Sequence, residues 1–323
     1  MITAHREKAG EISSAYGTGD ASVAARGPSL PKSLFGYEVL EFIGQGAGSL
    51  IYAVSQPGSN QIYALKHVVR RTDKDERFIQ QLEAEYEVGR SVHHPGLRRS
   101  IDLKLNRTGL LRKVSEAALV LELFDGQPLE THPPRRISAV CEVFAQVAKA
   151  LGALHHAGYC HCDLKPNNIL VNSAGEVKVI DLGQACKLNT KKQRIQGTPD
   201  YIAPEQVKCD AVTVRTDVYN LGATLYWVLT GKNVPTLFTV AKSGGENAFL
   251  VDDGIPTPSE LNPKAPETLS NLVMECVRVN PAKRPGDMSD LARRLDVIGY
   301  AAHRAAQGQH SPTHGVRPTL LHA

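Results

Sequence analysis

His161-Cys162-Asp163-Leu164-Lys165-Pro166-Asn167-Asn168-Ile169-Leu170 is the stretch from which the rest of the chain is read. It sets an acid, a base and an amide close together around a proline that forbids continued helix. An apolar run, Ile169-Leu170-Val171, follows at once. A turn from Asn172 to Glu176 leads to a second run, Val177-Lys178-Val179-Ile180, which ends on Asp181-Leu182-Gly183. The pattern reads as a loop feeding a hairpin with a carboxylate at each end. So short a hairpin brings its ends together, so Asp163, Lys165, Asn168 and Asp181 are expected to share one small volume. Three of them offer oxygen donors and one a fixed positive charge. A magnesium–phosphate site needs that set: hard oxygens for the metal, a cation for the phosphoryl group and a carboxylate to orient a nucleophile.

The stretch resembles the catalytic loop of the protein kinases, with Asp-Leu-Gly where that family usually has Asp-Phe-Gly. Other segments carry the resemblance in the same order. Phe35-Gly36-Tyr37-Glu38-Val39-Leu40 leads through Gly44-Gln45-Gly46-Ala47-Gly48-Ser49 into Ile51-Tyr52-Ala53-Val54, a strand, a glycine-rich turn and a strand. Glycines let a backbone approach phosphates and offer N–H groups unobstructed by a Cβ. The matching kinase loop has a third glycine where Ser49 stands and a larger residue where Gly48 stands, so a mobile lid without an aromatic tip is expected. Gln61-Ile62-Tyr63-Ala64-Leu65-Lys66 resembles the strand whose lysine holds the α- and β-phosphates. A strand-end lysine is ordinarily solvated, but the helical segment Glu76 to Val92 follows with Glu83, Glu85 and Glu87 ahead of His94-Pro95. In the family a glutamate of this helix pairs with the lysine. Counting back from His94-Pro95 favours Glu85, with Glu83 second.

Ile101 to Leu105 and Ala117 to Phe124 read as strands, the second breaking at Asp125-Gly126 as a hinge between lobes would. By resemblance Leu121 is the gatekeeper, and the backbone of Glu122 and Phe124 meets the adenine edge. Ile51, Ala64 and Leu170 complete the implied nucleotide-binding set. Pro128 stands where the family often has an acidic ribose contact. Ile137 to His156 shows apolar residues at helical spacing and ends before Gly158, a C-cap arrangement. Cys160, His161 and Cys162 lie near His155 and His156, yet their spacing fits no standard zinc pattern.

Cys162 is a departure, because the family usually has arginine there, pairing with a phosphate on the activation segment. A thiol makes no such charge-assisted pair. Activity independent of phosphorylation on that segment is therefore expected, and Asp181 to Glu205 offers only Thr190, Thr198 and Tyr201 as hydroxyls. Lys187, Lys191, Lys192 and Arg194 make the segment basic, which reads as a solvated loop or as an attraction for acidic partners. Gly197-Thr198-Pro199-Asp200-Tyr201-Ile202-Ala203-Pro204-Glu205 resembles the end of the segment in serine/threonine kinases, where the threonine meets the catalytic Asp and Lys. Asp217, near the start of an apolar helix, resembles the acid that anchors the catalytic loop, and Arg284 the buried partner of Glu205.

Length and composition fit this resemblance. The 323 residues allow one large two-lobed domain. A formal charge of +4 is too mild to argue for nucleic acid. No run of about 18 apolar residues indicates a membrane span, and the first residues lack a secretory core. Six scattered cysteines read as reduced thiols of a cytoplasmic protein. The implied fold is α+β: a two-lobed kinase domain over residues 35–298, with a β-rich N-lobe to about 124 and a helical C-lobe beyond. Residues 1–34 read as a flexible leader and 299–323 as a flexible tail. The closest likeness is to compact bacterial serine/threonine kinases. The resemblance implies ATP and Mg²⁺ as cofactors and proteins with Ser or Thr as substrates, together with an unidentified regulatory partner. It makes Asp163, Lys165, Lys66, Glu85 and Thr198 catalytic and Asn168 and Asp181 metal ligands. Gly44, Gly46, Gly48 and Ser49 would cradle the phosphates. Two rival readings are a pseudokinase scaffold, favoured by the altered glycine loop and Cys162, and a small-molecule phosphotransferase, opposed by Ala203-Pro204-Glu205 and Arg284.

Overall fold

The computed structural model describes residues 30–46, 48–109, 112–236 and 254–308. The N-terminal lobe is one six-stranded antiparallel sheet in the order β1-β2-β3-β4-β6-β5. Its strands are β1 (Ser33–Leu34), β2 (Tyr37–Gly46), β3 (Ser49–Ser55), β4 (Ile62–Val69), β5 (Ser100–Thr108) and β6 (Lys113–Glu122). A period of two sorts their side chains onto two faces. Ala117, Leu119 and Leu121 of β6 join Ala64 and Val68 of β4 on the inner face, whereas Ala118, Val120 and Leu65 pack outward against Tyr52 and Val54. Lys66 falls between Ala64 and Val68 in this alternation, so the pleat carries it to the inner face. Helix α1 (Glu76–Ser91) lies across that face and buries Ile79, Leu82, Glu85 and Val88. Glu85 thus sits inside an otherwise apolar stripe. The helix approaches β5 closely at Gly89, where an added Cβ would lie 2.3 Å from Ser100 Oγ.

The C-terminal lobe is built on α2 (Ile137–His156), which buries Val140, Phe144, Val147, Ala148, Leu151 and Leu154. It is long and apolar enough to cross a membrane, but most of it is enclosed by the lobe as its core helix. Its end is closed as expected, with Gly158 at φ +84 donating to the His155 carbonyl at 2.9 Å. Around it lie short strands β7 (Gln127–Pro128), β8 (Tyr159–Cys160), β9 (Ile169–Val171), β10 (Val177–Val179) and β11 (Cys186–Lys187). β9 and β10 form the expected hairpin, and β7 pairs with β9. Helices α3 (Pro204–Val207), α4 (Val214–Thr230), α5 (Pro258–Leu261), α6 (Glu267–Cys276) and α7 (Met288–Gly308) are the further helices among the lobe's described residues. Thr213 caps α4 through its side chain, and Gly231 at φ +69 ends it.

Two limits read from the sequence move. Residues 33–34, assigned to the leader, pair as β1 with β2 across Phe35-Gly36, both at positive φ. Such a turn normally carries Asn-Gly or Asp-Gly, and a phenylalanine in the first position hides it. At the other end α7 runs to Gly308, ten residues past 298. Four alanines between 301 and 306 favour helix where no core is left to pattern the sequence. Residues 1–29 of the leader and 309–323 of the tail lie outside the described residues.

Candidate active site

Pro166 opens a single 3-10 turn, Pro166–Asn168, that folds the loop back on itself. Asn168 Nδ2 donates to the Asp163 carbonyl at 2.9 Å, and Ile180 N–H donates to the Asn168 carbonyl at 2.9 Å. Both ends of the hairpin are therefore tied to the loop. The loop backbone hangs on Asp217 of α4, which is fully buried. Its carboxylate accepts the N–H of His161 and of Cys162, and His155 Nε2, each at 2.8 Å. Burial by itself would raise the Asp217 carboxyl; the His155 hydrogen bond and charge, with the Cys162 N–H, hold it below the ordinary value. His155, Cys160 and Asp217 bring their ligand-type atoms within 4.8 Å of one another, but the Asp217 oxygens are committed to these three donors. His161 is completely buried as a packing residue, with Nδ1 accepting from Asp163 N–H at 3.2 Å.

Asp163 Oδ1 accepts both the N–H and the Oγ1–H of Thr198, at 2.8 and 2.7 Å. Lys165 Nζ donates to Thr198 Oγ1 at 3.0 Å and lies 3.5 Å from Asp163 Oδ2. On the opposite wall Lys66 Nζ sits between two carboxylates, 2.7 Å from Glu85 Oε2 and 2.8 Å from Asp181 Oδ1. Glu85, and not Glu83, is thus the helix acid. Burial pulls the Lys66 ammonium down, but Asp181 and Glu85 together more than offset it and leave it raised. Asp181 is lowered in turn, because the Lys66 charge and hydrogen bond outweigh its desolvation. It stands at φ +63, in left-handed backbone, and keeps 38% of its side chain open to the cleft.

Lys66, Asp163, Lys165, Asn168 and Asp181 line one cavity of about 500 Å³. Gly46, Ser49, Ile51 and Leu170 line it too; Gly44, Gly48, Ala64, Leu121, Glu122 and Phe124 do not. Ala64, Leu121 and Phe124 pack with Ile51 and Leu170 in one apolar cluster. Glu122 is engaged by Lys178 at 2.8 Å, and that ammonium lies 5.3 Å from the Phe124 ring centre. Gly44 pairs with Ile51 across β2 and β3. Gly48 stands at φ +75 against Phe78 of α1: a Cβ added to it would lie 2.5 Å from the ring. The aromatic group missing from the loop tip is therefore met from the helix. Asn168 and Asp181 face the cavity with hard oxygen donors, the chemistry a magnesium ion requires.

The segment after Asp181 ends in a buried ion pair. Arg284 Nη1 and Nη2 reach Glu205 Oε1 and Oε2 at 2.8 and 2.9 Å, and Thr216 Oγ1 donates to Oε1 at 2.8 Å. Gln206, beside it, was not singled out in the sequence. Its Nε2 donates to the Cys162 and Gln196 carbonyls at 2.7 and 3.2 Å, tying the catalytic loop to the segment. Cys162 is buried with φ +65, its Sγ 3.7 Å from Cys186 Sγ. Contact with the Cys160 thiol, then burial, pushes its own thiol up, so it stays protonated. Arg98 was also missed: a buried arginine 3.4 Å from Glu85. The adjacent Arg98-Arg99 pair gave no sign of which one turns inward.

A family model described as protein kinase domain matches residues 37–294. Among similar curated proteins, the probable serine/threonine-protein kinase PknB of Lactococcus lactis is 26% identical over 79% of this chain and 40% of its own length. The serine/threonine-protein kinase PknK of Mycobacterium bovis is 29% identical over 83% of this chain and 24% of its own length. The serine/threonine-protein kinase AtPK2/AtPK19 of Arabidopsis thaliana is 31% identical over 77% of this chain and 51% of its own length. The chain thus spans about half or less of these relatives. A crystal structure of the Mycobacterium tuberculosis PknI kinase domain superposes with a TM-score of 0.64 at 21% identity, covering 84% of this chain and all of that one.

Proposed function

The chain belongs to the protein kinase family, and from that premise we propose that it is an active serine/threonine kinase moving the γ-phosphoryl of ATP to a protein hydroxyl. The observation that carries this is the convergence of Lys66, Asp163, Lys165, Asn168 and Asp181 on one cavity. Each of the five is held by hydrogen bonds, ion pairs or backbone ties. Asp163 would orient the acceptor hydroxyl and take its proton through Oδ2. Lys165, steadied by Thr198, would meet the γ-phosphoryl. Lys66 would hold the α- and β-phosphates, and the backbone of Glu122 and Phe124 the adenine edge. Asn168 and Asp181 would hold Mg²⁺, which when bound offsets the charge of the phosphates. Catalysis then consists of positioning and charge stabilisation.

Cys162 lies in an apolar pocket with Cys160, Val212, Cys186 and Leu188. It offers no cation to a phosphorylated segment, which supports activity without phosphorylation there. Six free cysteines, four of them buried, support a reducing, cytoplasmic setting. The test is transfer of labelled γ-phosphate, with Mg²⁺, to the protein itself and to a generic basic protein, beside Asp163→Asn. Label on serine or threonine that falls by about 10²–10⁴-fold in the variant is the expected result. Absence of transfer with ATP binding retained would replace this reading with that of a nucleotide-binding scaffold.

A further inference from the structure

Three thiols meet where the catalytic loop faces the segment that follows Asp181. Cys160 and Cys162 flank His161, and β11 sets Cys186 opposite Cys160. Cys162 Sγ and Cys186 Sγ lie 3.7 Å apart, in contact, and Val212 and Leu188 complete the apolar pocket around them. The phosphotransfer scheme gives this pair no task.

The two sulfurs differ in access. Cys162 is buried, whereas Cys186 is partly exposed and lines a cavity of about 260 Å³ whose wall also carries Arg77, Lys192 and Arg194. A small neutral oxidant therefore reaches Cys186 first. The two also differ in backbone restraint. Cys162 N–H donates to Asp217 Oδ1 at 2.8 Å, and its carbonyl accepts from Gln206 Nε2 at 2.7 Å. Cys186 sits in a two-residue strand on the segment. Closing the sulfurs from 3.7 Å to the bonded distance of about 2.0 Å thus falls on side-chain rotation and on β11, and leaves the catalytic loop in place. Contact with Cys162, then burial, pushes the Cys186 thiol up, and the Lys192 ammonium only partly opposes this. The resting pair is protonated, so it answers sustained rather than trace oxidant. The sulfurs touch in the same arrangement in which Thr198 bonds Asp163 and Lys165. A bond between them would lock that arrangement.

We propose that Cys162 and Cys186 are a redox modification site, forming a reversible disulfide with hydrogen peroxide that clamps the segment to the catalytic loop in its substrate-receiving arrangement. The effect on transfer rests on the phosphotransfer reading; the bond itself does not. Cys186, as thiolate, attacks one peroxide oxygen: an S–O bond forms, the O–O bond breaks, and the leaving hydroxide takes up the proton Cys186 released. The Cys162 thiol then attacks the sulfenic sulfur: the S–S bond forms, the S–O bond breaks, and the hydroxyl leaves as water with the Cys162 proton. The two sulfurs lose two electrons in all, and the peroxide is reduced to two waters. A low-molecular-weight thiol reverses the bond by exchange.

The experiment treats the reduced full chain with hydrogen peroxide and follows it by non-reducing peptide mass spectrometry, limited trypsin digestion and label transfer to a generic basic protein. Wild type, Cys160→Ala and Cys186→Ala are compared, and wild type is carried back with dithiothreitol so that one comparison needs no substitution. A link between the loop and Cys186 is expected in wild type and in Cys160→Ala, and its loss in Cys186→Ala. Oxidation should slow trypsin cleavage after Lys187, Lys191 and Arg194, which are exposed, by about tenfold. It should lower KM for the protein substrate by about tenfold and leave KM for ATP unchanged, with both effects undone by dithiothreitol. Failure of the folded protein to form the link, or its loss in Cys160→Ala, would overturn the proposal. So would a link that leaves cleavage unchanged, or one that lowers transfer. If neither the reduced nor the oxidised protein transfers label, the phosphotransfer reading falls, while the link and the trypsin protection still decide whether the bond forms and holds the segment.

Discussion

The two walls of the cleft are built differently. On the C-lobe side the polar groups are closed upon one another: Asp217 accepts three donors, Gln206 bonds the catalytic loop and the segment at once, and Glu205 holds Arg284 through both oxygens. Among the described residues, Asn220 Oδ1 is a buried atom without a hydrogen-bond partner on that side. On the N-lobe side Lys66 is divided between two carboxylates, while among the described residues Nε and Nη1 of Arg98 and Ser49 Oγ meet no hydrogen-bond partner. Ser49 and Arg98 both line the cavity. The lower wall is preorganised; the upper wall has capacity that a phosphate-bearing ligand would use. This division suits a reaction in which one side must hold the catalytic carboxylate still and the other must admit and release a nucleotide.

The comparison breaks if the lower wall tolerates damage. Glu205→Gln strands the Arg284 charge in a buried site, so urea unfolding should show a loss of about 3–5 kcal/mol. A loss below 1 kcal/mol, at the level of an exposed pair, would show that the lower wall is not a closed network. Asp217→Asn should cost about 1.5–3 kcal/mol at neutral pH, since it removes a charged acceptor from three donors. Its pH dependence sharpens the point. The folded-state carboxyl lies below its ordinary value of 3.8, so its stabilisation is complete above the unfolded value and is lost as pH falls through the folded one. The gap between wild type and variant should be flat from about pH 8 to pH 5 and narrow below about pH 4. A gap already closing at pH 6 would assign the effect to another group. The smallest expected effect is Thr190→Ala. The Thr190 backbone bonds Lys187 and Val212, its hydroxyl holds neither wall, and both label transfer and stability should stay within about 0.5 kcal/mol of wild type. A large loss of transfer would mean that a phosphate on this segment is needed after all.

Legibility in the sequence follows the same division. Asp163, Lys165, Asn168 and Asp181 could be placed together because a short hairpin leaves little freedom to its ends. Lys66 could be paired with Glu85 through the resemblance, which calls for a glutamate of this helix and, counted back from His94-Pro95, favours Glu85 over Glu83. Glu205 and Arg284, 79 positions apart, were reached only through the resemblance; no local pattern announces such a pair. The polar groups of the upper wall were harder to see. Arg98 lies in the loop ahead of β5, after the buried pair Gly96-Leu97, where no strand alternation sorts it from Arg99. Phe78 reads as one more apolar residue of α1, and only the fold brings it under Gly48. Gln206 looks like a surface residue beside a motif, since its four contacts all come from segments distant in sequence or from turns. The extent of α7 was missed because alanines extend a helix without marking a buried face.

Hydrogen exchange of the protein with and without Mg·ATP tests the difference between the walls most directly. Added protection should concentrate in the N-lobe side, at the β2–β3 turn, at Lys66 and along α1 around Glu85, while α4 and the loop hung on Asp217 are already protected and change little. Equal protection of both walls, or protection confined to the C-lobe side, would contradict the view that the nucleotide completes only the upper one.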